Sequence, residues 1–266
     1  MAFRYGPGPL LDSFPGAIAA YSLRRANSSY TGPCLTIRRS SDNATTNIGF
    51  FRYTVDTDAI LRFVGSGNGF VTTWYDQSGN GVDLIQPTAG SQFNVVTSGS
   101  LHYEGNDLVL NAATDRRMYR NTATSTAFTN WTIYSKGKTT NSFAMYVNGG
   151  FNTIGLMQHS GAGGLGYYNG SSYNAIAGGN SSYSTSYRKI QASRSETTNI
   201  RGFVNGINLG NANVTNSTLN LKGGGNTDGQ VFGNFAGQGW TGTARECIIY
   251  PVTHTDFTIA QINNMM

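Results

Sequence analysis

Short runs in which apolar and polar residues alternate recur along most of this chain, the period-two signature of half-buried strands. Cys34-Leu-Thr-Ile-Arg38 reads this way. Phe70-Val-Thr-Thr-Trp-Tyr75 is β-branched and aromatic, and it feeds Asp76-Gln-Ser-Gly-Asn-Gly81, built of residues that tolerate turn conformations. Further strands are predicted over 101–103, 107–110, 131–135, 143–147, 153–157, 166–168, 188–192, 201–204, 230–232 and 244–250. Asn-Gly pairs at 148–149, 169–170 and 205–206 fall between such runs, and the last predicts a hairpin over 200–209 with a two-residue type I′ turn.

The helical period surfaces only twice. Asp56-Thr57-Asp58 offers a cap and an acidic first turn. Ile60, Leu61, Phe63 and Val64 supply an apolar face, and Gly65 a stop. After the last strand, Thr255 or Asp256 can cap a short helix through Ile259 and Ile262. Residues 1–16, with Pro7, Pro9 and Pro15, read as an N-terminal extended arm, and 17–266 as a single domain without internal repeat or composition break. Many short strands joined by turn signals predict an all-β fold, a jelly-roll β-sandwich of two antiparallel sheets with one or two short helices.

Composition agrees with that pattern. Charged residues make up 12% of the 266, against 35 Gly and 15 Tyr, which suits tight turns rather than long surface helices. The formal charge of +5 is spread over pairs such as Arg24-Arg25, Arg38-Arg39 and Arg116-Arg117, with no basic stripe interleaved with aromatics, so nucleic acid is not an expected partner. The first residues lack the apolar core of a secretory signal, and no apolar run is long enough for membrane insertion. Cys34 and Cys247 lie in apolar or β-branched runs and read as buried thiols, with a bridge between them left open.

Two segments carry a resemblance. Trp240-Thr-Gly-Thr-Ala-Arg-Glu-Cys-Ile-Ile-Tyr250, followed by Ile259 and Ile262, resembles the end of concanavalin A-like, laminin-G-like jelly rolls, and the Phe203-Val-Asn-Gly206 hairpin fits the same pattern. Ala20-Tyr-Ser-Leu-Arg-Arg25, Arg38-Arg-Ser-Ser-Asp42 and Thr73-Trp-Tyr-Asp-Gln-Ser-Gly-Asn-Gly81 resemble the opening of the arabinofuranosidase B catalytic domain, itself a concanavalin A-like sandwich. That resemblance implies cleavage of arabinofuranose side chains from polysaccharides with retention of configuration, which requires a nucleophilic and an acid/base carboxylate about 5 Å apart. The same opening recurs in bacteriophage proteins as a virion module.

The acids that this chemistry needs are hard to place. The resemblance puts the nucleophile in a Met-Glu-Ala-Ile-Tyr-like strand, whose counterpart here is Ser160-Gly-Ala-Gly-Gly-Leu-Gly-Tyr-Tyr-Asn169, with no acid. It puts the acid/base Asp in a glycine-rich turn, which here reads Phe232-Gly-Asn-Phe-Ala-Gly-Gln-Gly239, again with none; an adjacent cysteine pair lining the sugar pocket is missing too. Beyond Arg116 the carboxylates are Glu196, Asp228, Glu246 and Asp256. Asp256 reads as a cap and Glu246 as part of the strand signature, so Glu196 with Asp228 is the one dyad left. His102, His159 and His254 are isolated, without metal or triad spacing. Asp76, with Asn80 and Asp83, reads as turn-forming rather than as a Ca²⁺ loop.

The sequence therefore predicts a non-enzymatic bacteriophage virion structural protein, a capsid decoration or tail-associated adhesion module, without catalytic residues, metal or cofactor. Its expected location is the virion, assembled in the host cytoplasm. Its expected partners are other virion proteins, further copies of itself in a homo-oligomer, and a host-surface or environmental glycan. Sugars are held by aromatic faces and amide hydrogen bonds, so Tyr167, Tyr168, Asn169, Tyr173, Asn234 and Trp240 are the candidate glycan-binding residues. The alternatives are an arabinofuranosidase-like glycoside hydrolase, active or degenerate, and a free-standing carbohydrate-binding module.

Overall fold

The computed structural model describes residues 8–120, 127–140, 143–147, 155–159, 164–168, 173–176, 186–194, 199–213, 219–220, 230–233 and 240–266. Nineteen strands of the described residues join in one antiparallel ladder that folds over into two layers, the expected β-sandwich. In the first layer Trp240–Tyr250 is central. Trp131–Thr139, Arg188–Arg194, Asn199–Val204 and Ile207–Asn213 follow in order on one side of it. Ala19–Ser22 and Leu110–Arg116 share its other side. The second layer runs Thr45–Ile48, Leu35–Arg39, Gly69–Trp74, Leu84–Ile85, Met118–Arg120, Gln230–Gly233, Phe143–Val147, Gly155–His159, Gly164–Tyr168 and Tyr173–Ala175. Phe93–Thr97 links the layers by pairing with Gly69–Trp74 and, at Asn94, with Asn111.

Between the layers lies the main core, with Trp131, Ile133, Cys247 and Ile249 from the first and Leu35, Val71, Trp74 and Val231 from the second. A second core covers the outer face of the first layer. There Tyr134, Ile248, Tyr250, Phe203 and Ala20 pack under Ile259 and Ile262 of the closing helix and under Leu10 and Leu11. This third layer explains why Trp131–Thr139 is buried at almost every position rather than at every second one.

The predicted helices form with their caps. α1 (Leu10–Ser13) is a single turn inside the segment expected to be extended, and burial of Leu10 and Leu11 draws it in. α2 (Thr57–Val64) opens on Asp56, whose carboxylate accepts from Ala59 N at 2.9 Å, and ends at Gly65 with φ of 64°. α3 (Asp256–Met265) is capped by Thr255, whose hydroxyl accepts from Thr258 N, while Asp256 sits in the first turn. No described helix is long and apolar enough to cross a membrane. Asn205 (φ 51°) and Gly206 (φ 81°) make the expected two-residue turn between Val204 and Ile207. Cys34 and Cys247 are free and fully buried, and burial pushes both thiols up.

His254 ties α3 to the first layer. Its Nδ1 lies 2.7 Å from the Tyr134 hydroxyl and its ring packs on Tyr250, while its main-chain oxygen accepts from Arg201. Burial pulls the imidazole down to about 4. The unfolded chain takes its proton near pH 6.5 and the folded one only near 4, so stability is whole above about 6.5 and falls as pH drops between the two. Thermal unfolding from pH 7 to 4 should show this loss, and His254→Gln should flatten it. An equally steep fall in His254→Gln would assign the loss to other groups.

Candidate active site

The segment 73–83 fixes the second layer against the N-terminal strand. Asp76 is buried, and its Oδ1 accepts from Ala20 N at 2.8 Å and Ser78 N at 2.9 Å. Its Oδ2 accepts from the Ser78 hydroxyl at 2.7 Å and from Val82 N at 3.2 Å, so the carboxylate is fully engaged. Gln77 completes the clamp, donating from Nε2 to Ser22 O and accepting at Oε1 from Ala26 N. Asn80 donates to the carbonyls of Ala17 and Ile18. Asp76 is thus a turn-forming residue, and among the described residues no three His, Cys, Asp or Glu side chains gather as a metal site.

Beneath this loop an aromatic stack crosses the core. Trp74 stacks on Phe232 at 6.1 Å between ring centroids, and Phe232 meets Trp240 edge-on at 5.3 Å. Phe232 holds a φ of 51°, the left-handed region, which is an outlier for a bulky side chain. Both Val231 and Phe232 are buried in the same core, so two consecutive side chains enter it. Phe232 immediately precedes the glycine-rich run 233–239 of the sequence.

Each described carboxylate side chain beyond Arg116 is occupied, and so is that of Asp107 before it. Glu246 is fully buried and takes Arg24 in a bidentate pair, with Nε and Nη2 each 3.2 Å from one oxygen. Asp256 pairs with Arg201 and accepts from Asn208 Nδ2 at 2.8 Å. Asp107 takes Lys136 at 2.7 Å, Arg245 at 3.0 Å and the Tyr187 hydroxyl at 3.0 Å. Burial raises its carboxyl, but the Lys136 hydrogen bond and the two cations outweigh that and hold it below the ordinary value.

Of the predicted sugar-binding residues, Trp240 is described in full and is completely buried, its ring inside the main core rather than on a loop. It packs edge-on against Phe232 instead of facing solvent. Tyr167 and Tyr168 belong to the strand Gly164–Tyr168, where Tyr168 is the register partner of Tyr173 and Tyr167 that of Asn174. The side chains of Tyr167, Tyr168 and Tyr173 lie outside the described residues, as do Asn169, Asn234, Glu196 and Asp228 entirely. What the sequence did not single out is the Arg24–Glu246 pair and the left-handed Phe232. The first joins residues far apart in the chain, and the second carries no signal beyond the glycines that follow it.

Comparison with known proteins places this architecture. Residues 13–141 match the family described as alpha-L-arabinofuranosidase B, catalytic. An alpha-L-arabinofuranosidase B of Emericella nidulans is 42% identical over 76 residues, covering 27% of this chain and 15% of that protein. A solved GH54 α-L-arabinofuranosidase soaked with a cyclic sulfate inhibitor superposes with a TM-score of 0.71 at 18% identity, over 98% of this chain and 64% of that one. An arabinofuranosidase complexed with arabinofuranosyl-α-1,2-xylobiose gives 0.69 at 17% identity, with the same coverage. The chain thus has the β-sandwich fold of these catalytic domains, and it spans less than two thirds of the length of the solved relatives.

These matches overturn the expectation of a non-enzymatic virion structural protein. The family and the relatives matched are glycoside hydrolases, not capsid, tail or adhesion proteins, and the alternative of an arabinofuranosidase-like domain fits them. The expectation that the chain is no enzyme falls with it. It rested on two glycine-rich segments without acids, a missing cysteine pair and the few carboxylates beyond Arg116, yet Glu196 and Asp228 stand among those carboxylates.

Proposed function

We propose that this chain is a glycoside hydrolase of the arabinofuranosidase B type, removing arabinofuranosyl groups from a polysaccharide. The observation that carries the reading is the match of residues 13–141 to that catalytic family, joined to a likeness of fold over 98% of the chain. Glycosidic cleavage of this kind needs two carboxyl groups, one to attack or activate water and one to protonate the leaving oxygen. Beyond Arg116, Glu246 and Asp256 are committed to Arg24 and Arg201, which leaves Glu196 and Asp228 as the reacting pair. Trp74, Phe232 and Trp240 stack on one another in the core, and the clamp at Asp76 holds the strand carrying Trp74.

The test is release of 4-nitrophenol from 4-nitrophenyl α-L-arabinofuranoside. The unaltered protein should turn this substrate over, and Glu196→Gln and Asp228→Asn should each lower kcat by about a hundredfold or more, the usual loss when a positioned proton-transfer group or nucleophile is removed. No release by the unaltered protein would overturn the reading. Release that survives both substitutions would overturn the assignment of the pair.

A further inference from the structure

A small hollow on the outer side of the first layer has the chemistry of a sugar-binding site. The hairpin formed by Tyr103–Glu104 and Asp107–Leu108 stands over Trp131–Thr139 and Trp240–Tyr250, turning through Gly105 at φ of 60°. Its register divides its side chains. Glu104 and Asp107 are partners and turn toward the sheet, where Lys138 takes Glu104 at 3.0 Å and Lys136 and Arg245 take Asp107. Tyr103 and Leu108 are the other pair. They line a cavity of about 200 Å³ together with Leu23 and Val55 beneath and Thr54, Thr57 and Asn106 around it.

Three features of this hollow fit a carbohydrate. Tyr103 is 52% exposed on a hairpin pinned by the ion-paired acids Glu104 and Asp107, so an aromatic side chain is held at the surface on a fixed support. Hydroxyl and amide groups stand beside it, the pairing of a flat apolar surface with short hydrogen-bonding side chains that a sugar ring needs. Arg245 in the lining is held by Asp107, which it shares with Lys136, and donates to Leu108 O at 2.9 Å; the other lining residues carry no charge, so the wall suits a neutral ligand. The larger hollow lined by Asn199, Arg201, Asn208, Gly210 and Asn211 has no aromatic wall.

We propose that this hollow binds one neutral pyranoside residue of a polysaccharide, as a surface site whose lining includes neither Glu196 nor Asp228. The proposal deepens the hydrolase reading by supplying a hold on the main chain of its substrate, and it rests on that reading only for the kind of polymer. A weak contact of this sort gains its effect by keeping the enzyme on a repetitive polymer.

Native electrophoresis through gels containing soluble arabinoxylan tests it, since retardation is read without turnover. Tyr103→Ala should weaken retardation by about fivefold or more, the loss expected for one stacked ring. Phe257→Ala, which removes another exposed aromatic side chain at the start of α3, should leave retardation as it was. A Tyr103→Ala protein that melts like the unaltered one yet is retarded equally would overturn the proposal, and so would an unaltered protein that no arabinoxylan retards. A protein retarded through Tyr103 but silent toward the chromogenic glycoside would leave this site standing and remove the hydrolase reading.

Discussion

Replacing Gly242 by alanine is expected to cost roughly 4 kcal/mol or more of folding stability, the range reserved for a clash that the core cannot relieve. Gly242 has φ of 135°, and a Cβ built there would lie 2.1 Å from the main-chain oxygen of Lys138. That oxygen cannot retreat. Lys138 belongs to Trp131–Thr139, which pairs with Trp240–Tyr250 on one side and Arg188–Arg194 on the other. Nearby, Arg245 has no register partner where Lys136 meets Glu246 and Gly137 meets Ala244, a β-bulge that bends the strand beside both glycines. Gly137 is crowded for the same reason, with Thr243 O 2.5 Å from its missing Cβ. Gly16 provides the comparison, since it also has a positive φ, 90°, but open space around it. Gly16→Ala should lose only about 1 kcal/mol, from backbone conformation alone. Urea unfolding of both variants checks the account, and a Gly242→Ala midpoint near that of Gly16→Ala would refute the claim of a backbone clash.

Glu246→Ala should be nearly as damaging, at roughly 3–5 kcal/mol, because it strands one partner of a buried ion pair. The Glu246 side chain has no exposed surface, and Arg24 retains 22% of its own, so the guanidinium left behind is only partly rescued by water. Glu246 is also the register partner of Ser22 and of Lys136, so the pair pins the central strand to the N-terminal one at the level of the bulge. The double variant Arg24→Met with Glu246→Leu should recover most of the loss, since a well-packed apolar pair avoids the cost of burying charge. Chemical denaturation of the single and double variants supplies the thermodynamic cycle. A double variant no more stable than Glu246→Ala would show that hydrogen-bond geometry at this point, rather than charge burial, governs the stability.

Local signals were legible in the chain and distant ones were not. Asp56 before an apolar helical face, Thr255 before Ile259 and Ile262, and Asn205-Gly206 between two apolar runs each specify a conformation through a few adjacent residues, and each forms as read. The alternation of Leu35–Arg39 and the β-branched run of Gly69–Trp74 are of the same kind. The pairing of Trp240–Tyr250 with Ala19–Ser22 joins opposite ends of the sequence, and no local pattern announces it. Nor does a pattern reveal that α3 roofs the outer face of the first layer, which is what buries Tyr134 and Tyr250.

The candidate site shows the same division. Thr73-Trp-Tyr-Asp-Gln-Ser-Gly-Asn-Gly81 pointed correctly to a catalytic family, and the structure explains its composition through the hydrogen bonds of Asp76 and Gln77. Trp240 misled, because an indole beside a run of glycines reads equally well as a sugar platform and as core. Tyr103 was passed over for the converse reason. In His102-Tyr-Glu-Gly-Asn-Asp107 it sits among turn-forming polar residues, and only the pairing of Glu104 and Asp107 with distant cations shows that the hairpin is held in place.

The proposal that this chain cleaves arabinofuranosides through a pair of carboxylates, with retention of configuration, is tested most directly by proton NMR of the anomeric signals while the unaltered protein acts on 4-nitrophenyl α-L-arabinofuranoside. The account predicts that free α-L-arabinofuranose accumulates first and the other anomer follows by mutarotation. No free arabinose after prolonged incubation, or the β anomer accumulating first, would contradict it.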